Sequence, residues 1–213
     1  MTEQPDPVDV PSALAAALGR QRQRDLVGSD PIEAQVGHSL GFATALGRAP
    51  GRALDLGSGG GLPGLVLALM CWPDTEVVLV DASQRRCTYL ELVVDELGLA
   101  PRVGVRWARA EELGRDPAWR AGADAVVARS FGPPAVVAEC AAPLLRPGGH
   151  LVVSEPPEAP AERWPPAGLA PLGLVPAAVV AEGGAHYARL RQDGPCPDRF
   201  PRRPGLPARR PLF

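Results

Sequence analysis

A glycine-rich turn between a short apolar strand and a helix constrains the fold of this 213-residue chain more than any other feature. The predicted strand Arg52–Leu56 is followed by Gly57, Gly59, Gly61 and Gly64, and then by the apolar run GLVLALM. Glycines let the backbone pass close to a ligand at the carboxyl end of a first strand, which is where doubly wound sheets bind nucleotides. The turn therefore predicts a nucleotide site at the edge of a parallel sheet.

Short apolar runs alternate with amphipathic runs through the middle of the chain, and this alternation predicts the fold class. Such a pattern is typical of a doubly wound, mostly parallel α/β sheet that is covered on both faces. Two further runs flank Gly183-Gly184 and predict a closing antiparallel pair of strands. The runs are, in order, ALDLG, GLVLALMCW, EVVLVD, QRRCTYLELVVDELG, RVGVRWA, DAVVARS, PPAVVAECAAPLL, GGHLVVSE, LVPAAVVAE and AHYARLRQ.

The two ends of the chain differ from this middle part. After a start over residues 1–10 that looks disordered, the run SALAAALGRQRQRDL predicts a helix that includes Leu26. A second helix is predicted after Ser29 and Asp30, which read as its cap, with Pro31 at the first helical position. The end, PDRFPRRPGLPARRPLF, predicts an extended basic tail. We therefore expect a helical extension over residues 1–50, a cofactor-binding domain over 51–195 and a tail over 196–213.

Composition limits the classes of protein to which this chain can belong. The chain is 46% hydrophobic and 22% charged, which is typical of folded globular proteins. Its apolar runs are shorter than a membrane span needs and its start lacks a signal pattern, so we expect a cytoplasmic protein, and we expect it to be a monomer. The four cysteines are scattered, so we expect neither disulfides nor a metal site. A net charge of −2 means that any nucleic-acid contact must come from a local basic patch.

The spacing of the turn indicates which nucleotide cofactor it binds. Asp81 ends the second strand, where a carboxylate can accept both hydroxyls of an adenosine ribose. Gly59-x-Gly61-x-x-Gly64 also matches the dinucleotide fingerprint, but Gly57 is the residue that directly follows the strand. Counting from Gly57 puts Leu62 where a dinucleotide site needs a small residue. The register therefore favours S-adenosylmethionine, with a dinucleotide or a turn without a ligand as the alternatives.

Two later strand ends carry further candidate site residues. Ala110 and Glu111 follow the third strand, at the loop that commonly holds the adenine ring in methyltransferases; Glu111 and its neighbour Glu112 are equally suited to a first helical turn. Arg129 and Phe131 follow the fourth strand, beside the place where substrate would meet cofactor. The alternatives are a solvated charge for Arg129 and a plain core residue for Phe131.

About three quarters of the chain resembles the glucose-inhibited division protein B family of small-subunit rRNA guanine-N7 methyltransferases. Most of the matching segments are generic to the fold, whereas LPG after the turn, RAEEL and ARSF are less so. Most specific is RFPRRPGLPARRPL, which is similar to the tail of the family's Gram-positive-type members. The resemblance rests on Asp30-Pro31 through His38-Ser39-Leu40, DLGSGGGLPG, VDASQRRCTYL, LGL, RAEEL, VVARSF, LLRPGGHLVV and this tail.

The resemblance implies a site and a substrate. Gly57 and Leu62 would contact the cofactor, Ala110 and Glu111 would lie along the adenine, and Arg129 would lie at the junction with the target base. The implied partner is small-subunit ribosomal RNA or the assembled subunit. The family's N-terminal tryptophan-asparagine-lysine and asparagine-leucine-threonine segments are missing, and Ser154-Glu155 replaces its lysine after the fifth strand. Another acceptor, or binding without turnover, therefore remains an alternative.

Guanine N7 has a free lone pair and no proton, so we expect no general base, and methyl transfer to it requires positioning. All three histidines fall outside the glycine-rich turn and the strand-end motifs, and His38 is interpreted as a packing or interhelical residue. Phosphate contacts are expected from arginines in the fourth predicted helix and in the tail, which prolines would keep extended; a merely solvated tail is the alternative. These predicted RNA contacts are Arg85, Arg86, Arg199, Arg202, Arg203, Arg209 and Arg210.

Overall fold

The computed structural model describes residues 8–156 and 161–213. The strands are β1 (Arg52–Leu56), β2 (Glu76–Asp81), β3 (Val103–Trp107), β4 (Ala123–Ala128), β5 (Leu145–Glu155), β6 (Leu174–Glu182) and β7 (Ala185–Gln192). The helices are α1 (Ser12–Arg22), α2 (Ile32–Leu46), α3 (Gly64–Val66), α4 (Gln84–Glu96), α5 (Ala110–Leu113), α6 (Pro134–Ala141), α7 (Pro166–Leu169) and α8 (Leu206–Arg209). A π-helical turn, Leu67–Cys71, continues α3.

All seven strands form one sheet in the order β3-β2-β1-β4-β5-β7-β6. The first five are parallel, and β7 runs antiparallel to both of its neighbours. The order reverses between β1 and β4, so the carboxyl ends of these strands border the crevice in which open α/β sheets bind ligands. The predicted doubly wound α/β fold is confirmed.

The sheet is buried on both faces, which explains why its strands are continuous apolar runs. On one face Leu54 and Val78 pack with residues of α5 and α6. On the other face Leu79 packs with Phe42 of α2 and Leu90 of α4. Successive residues of one strand thus enter different cores, as the period of two requires.

The closing pair of strands turns at Gly183-Gly184, whose φ angles of 55° and 78° suit a two-residue hairpin. The pair packs on α2 through Tyr187, which is fully buried and donates its hydroxyl to the His38 carbonyl at 2.6 Å. The Tyr187 ring lies directly over Gly41. The predicted antiparallel pair and the packing role of His38 are confirmed.

The N-terminal prediction was wrong in two details. Helix α1 ends at Arg22 and does not include Leu26, because Asp25 takes a left-handed conformation (φ 56°) and redirects the chain. The Leu26 carbonyl instead packs over Gly60. Helix α2 is preceded by Pro31 with no side-chain cap, so the predicted cap is absent from it. Residues 1–7 of the predicted disordered start lie outside the described residues, whereas Val8 packs against the α1–α2 core.

The tail is not extended, which corrects the sequence prediction. A β-turn forms at Arg203–Leu206, where the Leu206 N–H donates to the Arg203 carbonyl, and helix α8 follows it. Pro-Gly at the centre of this turn suits a type II geometry, which needs a positive φ at its third residue. Phe200 is only 5% exposed and joins the core on the α5–α6 face of the sheet. Apolar burial therefore outweighs the extending effect of the prolines.

Among the described residues, no helix has the length and apolar character needed to cross a membrane.

Candidate cofactor site

The glycine turn is held tightly against its surroundings. Gly57, Gly59 and Gly61 have φ angles of 72°, 57° and 101°, which side chains other than glycine rarely adopt. The Gly57 N–H donates to the Val80 carbonyl at 2.8 Å, which joins the turn to β2. A Cβ atom on Gly57 would meet the Phe131 ring at 2.8 Å. The glycines are thus required by backbone conformation and by close packing.

Asp81 links the turn to the start of α4. Its carboxylate is 4% exposed and accepts the Gly59 N–H at 3.0 Å and the Ser83 N–H at 2.8 Å. Arg86 approaches the same carboxylate, with 3.5 Å between Nη1 and Oδ2. Asp81 therefore organises the glycine turn in addition to the predicted role of binding ribose.

A cavity of about 330 Å³ lies at the carboxyl ends of β1, β2, β3 and β4. It brings together six of the predicted residues, although they are far apart in sequence, and its size and mixed polar and apolar walls suit a nucleoside. The predicted residues that line this cavity are Gly57, Asp81, Arg86, Ala110, Glu111 and Phe131.

Both glutamates of α5 accept hydrogen bonds from other groups of the protein. Glu111 is 6% exposed and accepts hydrogen bonds from the Gly205 N–H at 2.9 Å and from Arg109 Nη2 at 3.1 Å. Burial opposes ionisation of Glu111, but these hydrogen bonds outweigh burial and lower its pKa. Glu112 accepts the Arg109 N–H and so stabilises the start of the helix. Of the two glutamates, Glu111 lines the cavity.

A second cavity of about 290 Å³ lies on the other side of the turn and contains Gly59, Leu62 and Arg129. Arg129 Nη2 donates to Gln35 of α2 at 3.1 Å, whereas the buried Nη1 has no hydrogen-bond partner in the described part of the chain. Burial lowers the pKa of Arg129. An unsatisfied buried donor is costly, which indicates a partner that binds from outside.

Asp55 lies behind the turn and is almost fully buried. Oδ2 accepts the Gly64 N–H at 2.9 Å, whereas Oδ1 has no partner among the described residues. Burial raises the pKa of Asp55 to about 7, although the Gly64 hydrogen bond opposes this shift. S-adenosylmethionine fits these groups, because its carboxylate would satisfy Arg129 and its sulfonium would be favoured by the nearby acids.

An arginine groove adjoins the first cavity. Arg24, Arg85 and Arg86 line this groove together with Asp25 and Asp81, and its volume is about 590 Å³. Arg85 and Arg86 were predicted as RNA contacts, whereas Arg24 was not. The guanidiniums of Arg24 and Arg85 lie 4.9 and 5.9 Å from the centre of the Tyr89 ring. The basic run RQRQR was visible in the sequence, but interpreting it as helix hid the turn that directs Arg24 to the groove.

The structure does not bring all predicted residues to the site. Arg202 is paired with Glu139 and its guanidinium is not free, which corrects its prediction as a phosphate contact. Arg199, Arg203, Arg209 and Arg210 are exposed. None of the three histidines lines either cavity or the arginine groove. Burial, assisted by Arg129, lowers the pKa of His38 to about 4, so this histidine is neutral at physiological pH.

The sheet order, the glycine turn and the acidic strand end define the chain as a class I S-adenosylmethionine-dependent methyltransferase. Its fold is similar to that of the O-methyltransferase TomG from Streptomyces achromogenes, with a TM-score of 0.64, 20% identity and coverage of 88% of this chain and 92% of that one. An O-methyltransferase from Bacillus cereus, solved with SAH, has a TM-score of 0.63, 15% identity and coverage of 86% and 92%.

The family is defined by sequence. Residues 30–157 match the model of rRNA small subunit methyltransferase G. The protein of that name from Prochlorococcus marinus (strain MIT 9313) is 39% identical over 176 residues, which cover 76% of this chain and 68% of that protein. The namesake from Rubrobacter xylanophilus is 34% identical over 213 residues, covering 93% and 81%. The chain belongs to the rRNA small subunit methyltransferase G family, as its motifs predicted.

Proposed function

We propose that this protein transfers a methyl group from S-adenosylmethionine to N7 of a guanine in small-subunit ribosomal RNA. The observation that carries the proposal is the arginine groove, which adjoins the nucleoside-sized cavity at Asp81. Family membership supports ribosomal RNA as the substrate. The division into an extension (1–50), a catalytic domain (51–195) and a C-terminal segment (196–213) is part of the proposal.

The cofactor would occupy both cavities around the glycine turn. Asp81 would accept the ribose hydroxyls, and Ala110 and Glu111 would lie beside the adenine. On the other side of the turn, Gly59 and Leu62 line the space for the methionine part, and Arg129 supplies a donor for its carboxylate. Gly61, also predicted to bind the cofactor, lines neither cavity, because its Cα faces the side chain of Leu65. The two cavities have Gly57 in common, which is consistent with one ligand that extends across both.

The reaction needs positioning and no proton removal. The N7 lone pair forms a bond to the methyl carbon while the carbon–sulfur bond breaks, which leaves a neutral thioether and a cationic guanine. The carboxylate of Asp81, which lines the first cavity, favours a positive charge in this region. Phe131 lies two residues after Arg129, beyond the end of β4, and its ring would supply an aromatic surface for an unstacked base.

RNA would reach the site along the arginine groove. Arg24 and Arg85 supply charge for phosphates, and the exposed arginines of the C-terminal segment add to it. Trp107 is 58% exposed and donates its Nε1–H to the carbonyl of Ala82, which lines the groove. Single-stranded RNA stacks on exposed aromatic rings of this kind. The proposed substrate is a loop nucleotide of the ribosomal RNA in the small subunit. The proposed enzyme acts on it in the cytoplasm, as a monomer.

The test is methylation in vitro followed by nucleoside analysis. Naked small-subunit rRNA and assembled subunits are each incubated with labelled S-adenosylmethionine, digested, and separated by liquid chromatography with mass spectrometry. We expect 7-methylguanosine from at least one substrate and none with Gly59→Val, whose side chain the left-handed turn disfavours. Label in another nucleoside would contradict the N7 assignment, and no label in either RNA would contradict RNA as the acceptor.

A further inference from the structure

We propose that residues 199–210, here called the C-terminal strap, form the adenine-side wall of the cofactor site and determine cofactor affinity. Ala208 of α8 lines the 330 Å³ cavity together with Glu111 of α5 and Cys140 of α6. The strap thus contributes directly to the cavity, which a basic tail that only contacts RNA would not do. The inference rests on the proposed cofactor site and adds this segment to it.

The first anchor of the strap is the ion pair between Arg202 and Glu139, in which the glutamate is fully buried and the arginine is partly exposed. Glu139 of α6 has no exposed surface. Its carboxylate accepts the backbone N–H of Arg202 at 2.8 Å, Nε at 2.8 Å and Nη2 at 2.6 Å. A buried carboxylate is tolerated when it is paired and hydrogen-bonded in this way. Glu139 therefore requires the strap to lie against α6.

The second anchor joins the strap to α5. The Gly205 N–H donates to Glu111 Oε1 at 2.9 Å, from a β-turn in which Gly205 has a φ of 78°. Arg202 Nη2 also donates to the Arg210 carbonyl at 2.7 Å, which closes the strap into a loop around α8. The two anchors connect α5 with α6, and both of these helices line the cavity.

A third set of contacts holds the first residues of the strap and the segment just before it. Arg120 donates to the carbonyls of Cys196 and Phe200 at 2.8 and 2.7 Å, and Arg115 donates to the Pro201 carbonyl at 2.9 Å. Both arginines lie in the connection between α5 and β4. Each contact pairs a charged donor with a backbone acceptor, a stronger combination than two neutral groups.

These contacts predict how the strap acts on cofactor binding. Glu111 is fixed by Gly205, and Ala208 is placed by the helix that follows that turn. A ligand that fills the cavity would contact a wall that is held together by hydrogen bonds between residues up to 94 positions apart in sequence. Loosening the strap should therefore weaken S-adenosylhomocysteine binding through a widened cavity, with no RNA present.

The test is calorimetric titration of S-adenosylhomocysteine into the full chain and two kinds of variant. Ala208 is exposed, so Ala208→Trp should fold normally, and we expect its bulk in the cavity to weaken binding about tenfold or more. Pro211→Trp is the matched control, since Pro211 directly follows the strap, is exposed and does not line the cavity; the affinity of this variant should equal that of the wild type.

The second variant, Glu139→Gln with Arg202→Met, removes the ion pair without leaving a buried charge alone. We expect it to remain folded, as judged by thermal melting, and to bind about tenfold more weakly. Wild-type affinity in Ala208→Trp would overturn the proposal whatever the double variant does, and so would wild-type affinity in a folded double variant. Absence of binding by the wild type would instead contradict the proposed function.

Discussion

At the scale of single residues, two acids at adjacent strand ends have different surroundings. Asp81 accepts two backbone N–H groups and borders the cavity, whereas Asp55 lies behind the turn with one oxygen unpartnered in the described chain. Their positions were predictable from the sequence, because a carboxyl-terminal strand end is recognisable. The hydrogen-bond partners of the two acids were not predictable, because only the folded turns bring the Ser83 N–H to Asp81 and the Gly64 N–H to Asp55.

Asp81→Ala should weaken S-adenosylhomocysteine binding by about 1.5–3 kcal/mol for each charge-assisted hydrogen bond to the ribose that is lost. Asp81→Asn is the matched control, because its amide oxygen can still accept the Gly59 N–H while the charge is removed. We expect intermediate affinity for Asp81→Asn in calorimetric titration. Wild-type affinity in both variants would remove Asp81 from the ribose site.

Asp55 should make the stability of the free protein depend on pH. Its pKa is raised to about 7 in the folded chain, so its contribution is fully present below the pKa of the unfolded chain and is lost as pH rises toward 7. The loss is at most roughly 1.4 kcal/mol per pH unit. Asp55→Asn should reduce this dependence in urea unfolding at pH 5 and pH 8. Equal pH dependence in wild type and variant would show that Asp55 is ionised when folded.

At the scale of elements, the sequence predicted the strands, which follow periodic apolar patterns. It did not predict the local structure that depends on contacts between residues far apart in the chain. The five parallel strands and the final pair follow from apolar runs and from Gly183-Gly184, and all of them were predicted. The predictions for the end of α1 and for the tail were wrong, because the Leu26 carbonyl packs on Gly60 and Arg202 pairs with Glu139. Neither pair is close in sequence, so no local pattern could reveal it.

The contact of α2 with the closing strands predicts a measurable stability effect. Tyr187→Phe removes the hydrogen bond to the His38 carbonyl and should cost about 1 kcal/mol in the free energy of unfolding. Gly41→Ala should cost more, because the added methyl group would overlap the Tyr187 ring. Gly19→Ala is the control, since a Cβ there meets nothing within 4 Å. Equal stability of Gly41→Ala and Gly19→Ala would contradict the close packing of α2 on β7.

At the scale of the whole molecule, a chain of net charge −2 presents a local basic groove. Arg24→Gln with Arg85→Gln should weaken RNA binding and lower the salt slope by about 1.4, at roughly 0.7 per phosphate contact on single-stranded RNA. Arg20→Gln is the control, because Arg20 is paired with Glu96 outside the groove. An unchanged slope in the double variant would remove the groove from the RNA path.

The proposed reaction of this enzyme is methylation of one guanine of small-subunit ribosomal RNA at N7. The most direct measurement is mass mapping of that RNA from a host strain lacking the gene, complemented with the wild-type protein or with Gly59→Val. We predict that one guanine-containing fragment gains a single methyl group with the wild type and stays unmethylated with the variant. Fragments of equal mass in both strains, or a methyl group on another base, would contradict N7 methylation of this RNA by the enzyme.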